Sequence, residues 1–227
     1  MDLDPTATVA QLVLSHPSLA RVFQRRGIDY CCRGGVTVAE ACRGRGLDPA
    51  AVQAELAAAL PAGGEAAAED PRALSTAALL ARIVDRHHGY LRRALPFVEP
   101  LAAKVARVHG DKEPRLEEVR SVVSALSAAL LPHLEEEEKM LFPALAARTT
   151  DPDVIARELE RMLADHLEVG AMLGRLRALT DGFVPPAWGC NSYRVLMAEL
   201  EAIEADTLTH VHLENHVLAP RFAAPGR

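Results

Sequence analysis

The 227-residue chain is poor in aromatic residues, with one Trp, three Tyr and five Phe. A core built on large rings is therefore excluded, and the abundance of Ala and Leu suits helices packed closely on one another. No apolar run approaches the ~20 residues that a membrane-spanning helix needs. The N-terminus shows no charged-then-apolar leader, so no secretion signal is expected. Basic charge is also in deficit: the formal net charge is -6. With no basic stripe to meet phosphates, a nucleic-acid partner is not expected. Only four Cys occur, and Cys31 and Cys32 are adjacent. Neighbouring Cα atoms lie about 3.8 Å apart, less than a relaxed disulfide spans, so no bridge is expected between them. A reducing cytoplasm is the simplest setting.

What the sequence does contain is helical. Residues 1–60 read as a small helical domain. Thr8 to Phe23 carries apolar residues at helical spacing, broken by Pro17 into two short helices. Gly27 to Gly35 is a turn-rich loop holding the Cys pair, and Thr37–Cys42 and Asp48–Leu60 read as two more short helices. Residues 61–75, rich in Gly, Pro and acidic groups, read as a linker. Residues 76–223 then hold four long helical stretches, near 75–108, 114–147, 151–180 and 186–220. Pro96 and Pro100 are expected to kink the first. Short connections between helices of this length give an all-α, antiparallel four-helix bundle.

The bundle repeats a phrase. His133 to Pro143 (HLEEEEKMLFP) and His210 to Pro220 (HVHLENHVLAP) both reduce to His-x3-Glu-x3-Leu-x-Pro. His88 precedes His133 by nearly the same stretch as His166 precedes His210. Because each residue turns ~100°, His133 and Glu137 share one helix face, and His210 and Glu214 another. Two such faces turned inward, with one His from each remaining helix, converge on one interior point. That is the ligand logic of carboxylate-bridged bundles, and it points to two metal ions, with iron favoured. A single His-x3-Glu is ordinarily a surface pair worth a few tenths of a kcal/mol; a matched duplicate with matched upstream His is not. Neighbouring His87 competes with His88, and the repeat spacing favours His88 only narrowly. His212 and His216 turn away from this face, His109 reads as a helix-end residue, and His16 as structural.

Cys31 and Cys32 are flanked by Arg25, Arg26 and Arg33, which favours thiolate. Such a pair can bind a soft metal, take up nitric oxide, be oxidised, or simply fill a small core. Cys42 and Cys190 read as core residues.

Together these residues resemble the iron–sulfur cluster repair di-iron proteins, also called regulators of cell morphogenesis and nitric-oxide signalling. The likeness covers nearly the whole chain: Asp29-Tyr30-Cys31-Cys32 matches the DYCC signature of that family's small domain, and Arg107–Lys112 and Leu213–Arg221 match its hemerythrin-like bundle. The resemblance settles the adjacent pair on His88. It implies His88, His133, Glu137, His166, His210 and Glu214 as ligands of two iron ions bridged by carboxylates and an oxo or hydroxo group. It further implies a cytoplasmic homodimer that restores damaged iron–sulfur clusters in client proteins under oxidative or nitrosative stress by supplying iron, with Cys31 and Cys32 as a thiol relay. The alternatives are a nitric-oxide-reducing enzyme and a sensor of O2 or NO at the same ligands.

Overall fold

The computed structural model describes residues 3–60, 70–147 and 151–222. Among these residues the fold is all-α, with a single isolated bridge between Thr8 and Thr37 and no strand. The chain divides into two compact units, one of residues 1–75 with 211–221 and one of residues 76–210 with 222–227. The expected linker at 61–75 lies partly outside the described residues; what is described of it includes a 3-10 turn, Pro71–Ala73, capped by Asp70.

The first unit holds four short helices: α1 (Val9–Ser15), α2 (Ala20–Arg25), α3 (Val38–Arg43) and α4 (Pro49–Ala59). Thr8 and Thr37 each form a capping box, with Gln11 and Glu40 returning the bond. Asp48 caps α4, and Pro49 takes its first position, where a missing N–H costs nothing. A 3-10 turn at Pro17–Leu19 separates α1 from α2, as the proline demands. Leu19, Phe23, Cys42 and Leu56 are completely buried and supply the centre of this unit.

The second unit is built from α5 (Thr76–Arg82), α6 (Gly89–His109), α7 (Arg115–Glu136), α8 (Phe142–Ala147), α9 (Pro152–Leu179) and α10 (Asn191–Leu213), the last running past the unit boundary. A π turn, Ile83–His88, joins α5 to α6, and another, Glu137–Leu141, joins α7 to α8. A third, Glu214–Leu218, extends α10. Apolar stripes of α6, α7, α9 and α10 form one core, including Leu95, Val98, Val123, Leu126, Leu176 and Leu196. α6 packs along α7 and α7 along α9, and a short turn joins α6 to α7.

The helix α6 runs continuously through Pro96 and Pro100. Both prolines are exposed, so carbonyls that lose an N–H partner can turn to water. The fourth long helix begins at Asn191 rather than near Pro186, because Asp181, Gly182 and Phe183 all take positive φ and Pro185-Pro186 follows. Among the described residues no helix is long and apolar enough to cross a membrane.

Candidate metal centre and cysteine loop

Each of the three π turns carries one of the candidate site residues. His88 ends the first, Glu137 opens the second and Glu214 opens the third. A π turn widens the helix by one residue and is a frequent mark of functional sites. Here His88, Glu137 and Glu214 are all buried.

Within the second unit the side chains form two histidine pairs around one carboxylate. Nε2 of His88 lies 3.2 Å from Nε2 of His210, and Nε2 of His133 lies 3.3 Å from that of His166. Glu137 stands between the pairs: its Oε2 is 3.4 Å from His88 Nε2, and its Oε1 is 3.2 Å from His133 Nε2. His88, Glu137 and His210 each bring a ligand atom within 4.8 Å of one another, and so do His133, Glu137 and His166. All five are buried. Glu214 is also completely buried and follows His210 by one turn of the same continuous helix. His87, the competitor of His88, instead meets Asp206 through Nδ1 at 2.9 Å and stacks on His210.

Outer carboxylates orient the rings. Nδ1 of His88 donates to Glu138 Oε1 at 2.7 Å, and the same oxygen accepts from Arg92 at 2.7 Å. Nδ1 of His133 faces Asp165 at 3.3 Å. A proton held on Nδ1 leaves the Nε2 lone pair pointing into the cluster, the tautomer that metal ligation requires. Burial would raise the Glu138 carboxyl, yet hydrogen bonds from Arg92 and His88 hold it below its ordinary range. Imidazole nitrogens facing buried carboxylates make a nitrogen–oxygen donor set that fits a cation such as iron. Neither Glu138 nor Asp165 stood out in the sequence. Glu138 is hidden in a four-glutamate run, and Asp165 is visible only as an acid next to His166.

The cysteine loop belongs to the first unit. Asp29 Oδ1 accepts from the backbone N–H of Cys31 at 3.1 Å and of Cys32 at 2.8 Å, fixing a tight Asx turn. Gly34 is required by close approach: a Cβ there would lie 2.3 Å from the Tyr30 carbonyl oxygen. Both sulfurs are thiols, 3.4 Å apart. The thiolate reading does not hold for Cys31. Its hydrogen bond with Cys32, its burial and the nearby Asp29 push its thiol well up, and Arg26 is engaged with Glu55 instead.

The loop's carbonyls are held by the segment that follows His210. His212 Nδ1 donates to Tyr30 O at 3.1 Å, and Asn215 Nδ2 donates to Cys31 O at 3.0 Å. Burial, with His216 beside it, pushes His212 down to about 4, so it serves as a neutral donor. His212 thus faces the Cys loop. The second i, i+4 pair in HVHLENH, His212 and His216, was the available signal for this role.

Comparison with known proteins agrees with this arrangement. Residues 79–222 match the family model of the hemerythrin HHE cation binding domain, and residues 5–60 match that of a domain of unknown function, DUF542. The chain is 30% identical over 217 residues to the iron–sulfur cluster repair protein ScdA of Staphylococcus haemolyticus, covering 95% of this chain and 97% of the relative. It is also 30% identical over 218 residues to the iron–sulfur cluster repair protein YtfE of Yersinia pseudotuberculosis, covering 94% and 95%. The YtfE protein of Yersinia pestis matches at 30% identity over the same length. A buried His–Glu cluster within a matched hemerythrin region, joined to a matched small domain with its DYCC loop, leads to one assignment: the chain belongs to the hemerythrin HHE family, among the iron–sulfur cluster repair proteins of the ScdA and YtfE type.

Proposed function

We propose that this protein takes part in repairing iron–sulfur clusters damaged by oxidative or nitrosative stress, and that it does so by supplying iron. The observation that carries the proposal is the single carboxylate of Glu137 set between two histidine pairs, one oxygen towards each. His88, His133, Glu137, His166, His210 and Glu214 would hold two iron ions, with the two glutamates as bridging ligands. Bound iron would supply redox chemistry and act as the cargo for a client cluster. The chain's own residues do the rest. Glu138 and Asp165 would hold the proton on Nδ1 of His88 and His133, so that each Nε2 presents its lone pair to the metal. Apolar neighbours such as Phe142, stacked on His88, limit water at the ring face. Neutral imidazoles and carboxylates hold iron less tightly than thiolates would, which suits a site that must release it.

Cys31 and Cys32 are proposed as a thiol relay that receives iron or nitric oxide. In support, Asn215 holds the Cys31 carbonyl and is the direct chain neighbour of Glu214. A cytoplasmic homodimer acting on iron–sulfur client proteins, with NO and O2 as small-molecule ligands, completes the reading. The test is reactivation of an oxidatively damaged [4Fe–4S] dehydratase by iron-loaded protein. Reactivation that survives in wild type and is lost in His133→Ala is the expected result. No reactivation by loaded wild type would end the repair reading. Full reactivation by Cys31→Ala/Cys32→Ala would end the relay alone.

A further inference from the structure

At the other end of α6, 21 residues from His88 and therefore roughly 30 Å away along the helix, the second unit carries a pair of groups that the metal site does not use. His109, the last residue of α6, places Nε2 3.1 Å from Sγ of Cys190. Cys190 was expected in a core; it is exposed. The segment Pro185-Pro186-Ala187-Trp188-Gly189 delivers it to the surface immediately before α10. Its carbonyl accepts from Arg194 N at 3.0 Å, so it sits at the N-terminal end of a 23-residue helix. Trp188 and Tyr193 wall the pair, their rings 5.6 and 5.7 Å from that of His109 and 5.7 Å from each other. Lys112 lies over the Trp188 ring at 5.6 Å.

We propose that Cys190 and His109 form a nucleophilic thiol–imidazole pair, a modification site that takes low-molecular-weight disulfides. The geometry meets the three requirements of a reactive thiol: a base in contact with sulfur, partial positive charge from helix N–H groups, and access from solvent. The hydrogen bond to His109 comes first, with the N–H groups of Tyr193 and Ser192 adding to it, and together they bring the thiol down to about 7. None of the other three cysteines has this combination. Cys31 and Cys42 are buried with thiols pushed up, and Cys32 is half-buried beside Cys31.

The step balances within the pair and its disulfide. The thiol proton passes to His109 Nε2, and the Cys190 thiolate attacks one sulfur of the disulfide R–S–S–R. A new S–S bond forms to Cys190 as the old one breaks, and the second sulfur leaves as thiolate with the bonding electron pair. His109 then returns the proton to that leaving thiolate. Cys190 is oxidised to a mixed disulfide, and half of the incoming disulfide is reduced to thiol. The charged groups around the pair's walls are Lys112, which lies over the Trp188 ring, and Arg194, which donates to the Ala187 carbonyl, with Glu113, Arg115 and Asp181 acting on Tyr193. Because of these charges an uncharged disulfide is the appropriate probe.

The experiment treats the full chain with 2-hydroxyethyl disulfide across pH 5.5–9.5 and follows the adduct at each cysteine by peptide mass spectrometry. Cys190 should react first, with a half-maximal rate near pH 7, and Cys190→Ser should lose the fast phase. In His109→Gln, where the N–H groups of Tyr193 and Ser192 remain, the midpoint should rise towards the ordinary thiol range near 8.5. The weaker thiolate population and the higher intrinsic nucleophilicity then oppose each other. Wild type should be faster at pH 6, by up to about 6-fold, and the variant faster at pH 9, by up to about 4-fold. The wild-type profile needs no variant to fold and stands alone as a test. A wild-type midpoint at 8.5, identical profiles in His109→Gln, a fast phase retained in Cys190→Ser, or earlier reaction at another cysteine would each overturn the proposal.

Discussion

Glu138 offers the sharpest test of how the candidate centre is held. Its Oε1 accepts from both His88 Nδ1 and Arg92 Nη1, each at 2.7 Å. The bond to His88 is charge-assisted, and such bonds contribute about 1.5–3 kcal/mol against about 0.5–1.5 for neutral ones. Glu138→Gln keeps an acceptor but removes the charge, a loss of about 1 kcal/mol, or roughly 5-fold in metal affinity. Glu138→Ala removes the partner, frees the His88 ring to rotate and should cost 10–100-fold, the usual range for an outer-sphere carboxylate. Asp165 makes the longer contact, 3.3 Å to His133, and is 43% exposed against 28% for Glu138. Water competes more effectively there, so Asp165→Ala should fall at or below the low end of that range. The assay is iron retention against a graded chelator, with circular dichroism to show that each variant keeps its helices. Unchanged retention in Glu138→Ala, or a larger loss at Asp165 than at Glu138, would refute the reasoning.

Two further outcomes concern stability. Glu204 is buried at 3% exposure and its charge is met by the Arg177 guanidinium, so Arg177→Met should destabilise the protein by about 3–5 kcal/mol in urea unfolding. Arg177→Met/Glu204→Leu should recover most of that loss, and a double variant as unstable as the single one would contradict the uncompensated-charge explanation. Leu126, 1% exposed within the core of the second unit, should cost about 2–5 kcal/mol on substitution by Ala. A midpoint shift corresponding to less than about 1 kcal/mol would show that its surroundings collapse into the space.

The helices were legible because their signals are local. Thr8, Thr37 and Asp48 cap where a capping residue precedes an apolar period, and Asp151-Pro152 opens α9 in the same way. The histidine–carboxylate cluster was legible through duplication: one His-x3-Glu is uninformative, while two in step with His88 and His166 define facing positions. What the sequence hid is set by tertiary structure. The π turns at His88, Glu137 and Glu214 have no propensity signature, since they depend on how each helix packs. Glu138 could not be separated from Glu135, Glu136 and Glu137 without knowing which face His88 meets. The arginines that flank Cys31 in sequence favour thiolate, while the hydrogen bond with Cys32, burial and Asp29 act through space and push its thiol up. An isolated cysteine such as Cys190 is usually buried. Here it follows the exposed Ala187 and Trp188 and is itself exposed.

The central claim is that the six residues His88, His133, Glu137, His166, His210 and Glu214 hold two iron ions. The direct measurement is iron per chain in protein purified from iron-replete cells, taken together with the near-ultraviolet and visible spectrum. About two irons per chain, with ligand-to-metal charge-transfer bands that disappear in His133→Ala, is the result expected from two histidine pairs sharing the Glu137 carboxylate. Protein that carries no iron, or tightly held zinc without such bands, would contradict the di-iron assignment and with it the supply of iron to damaged clusters.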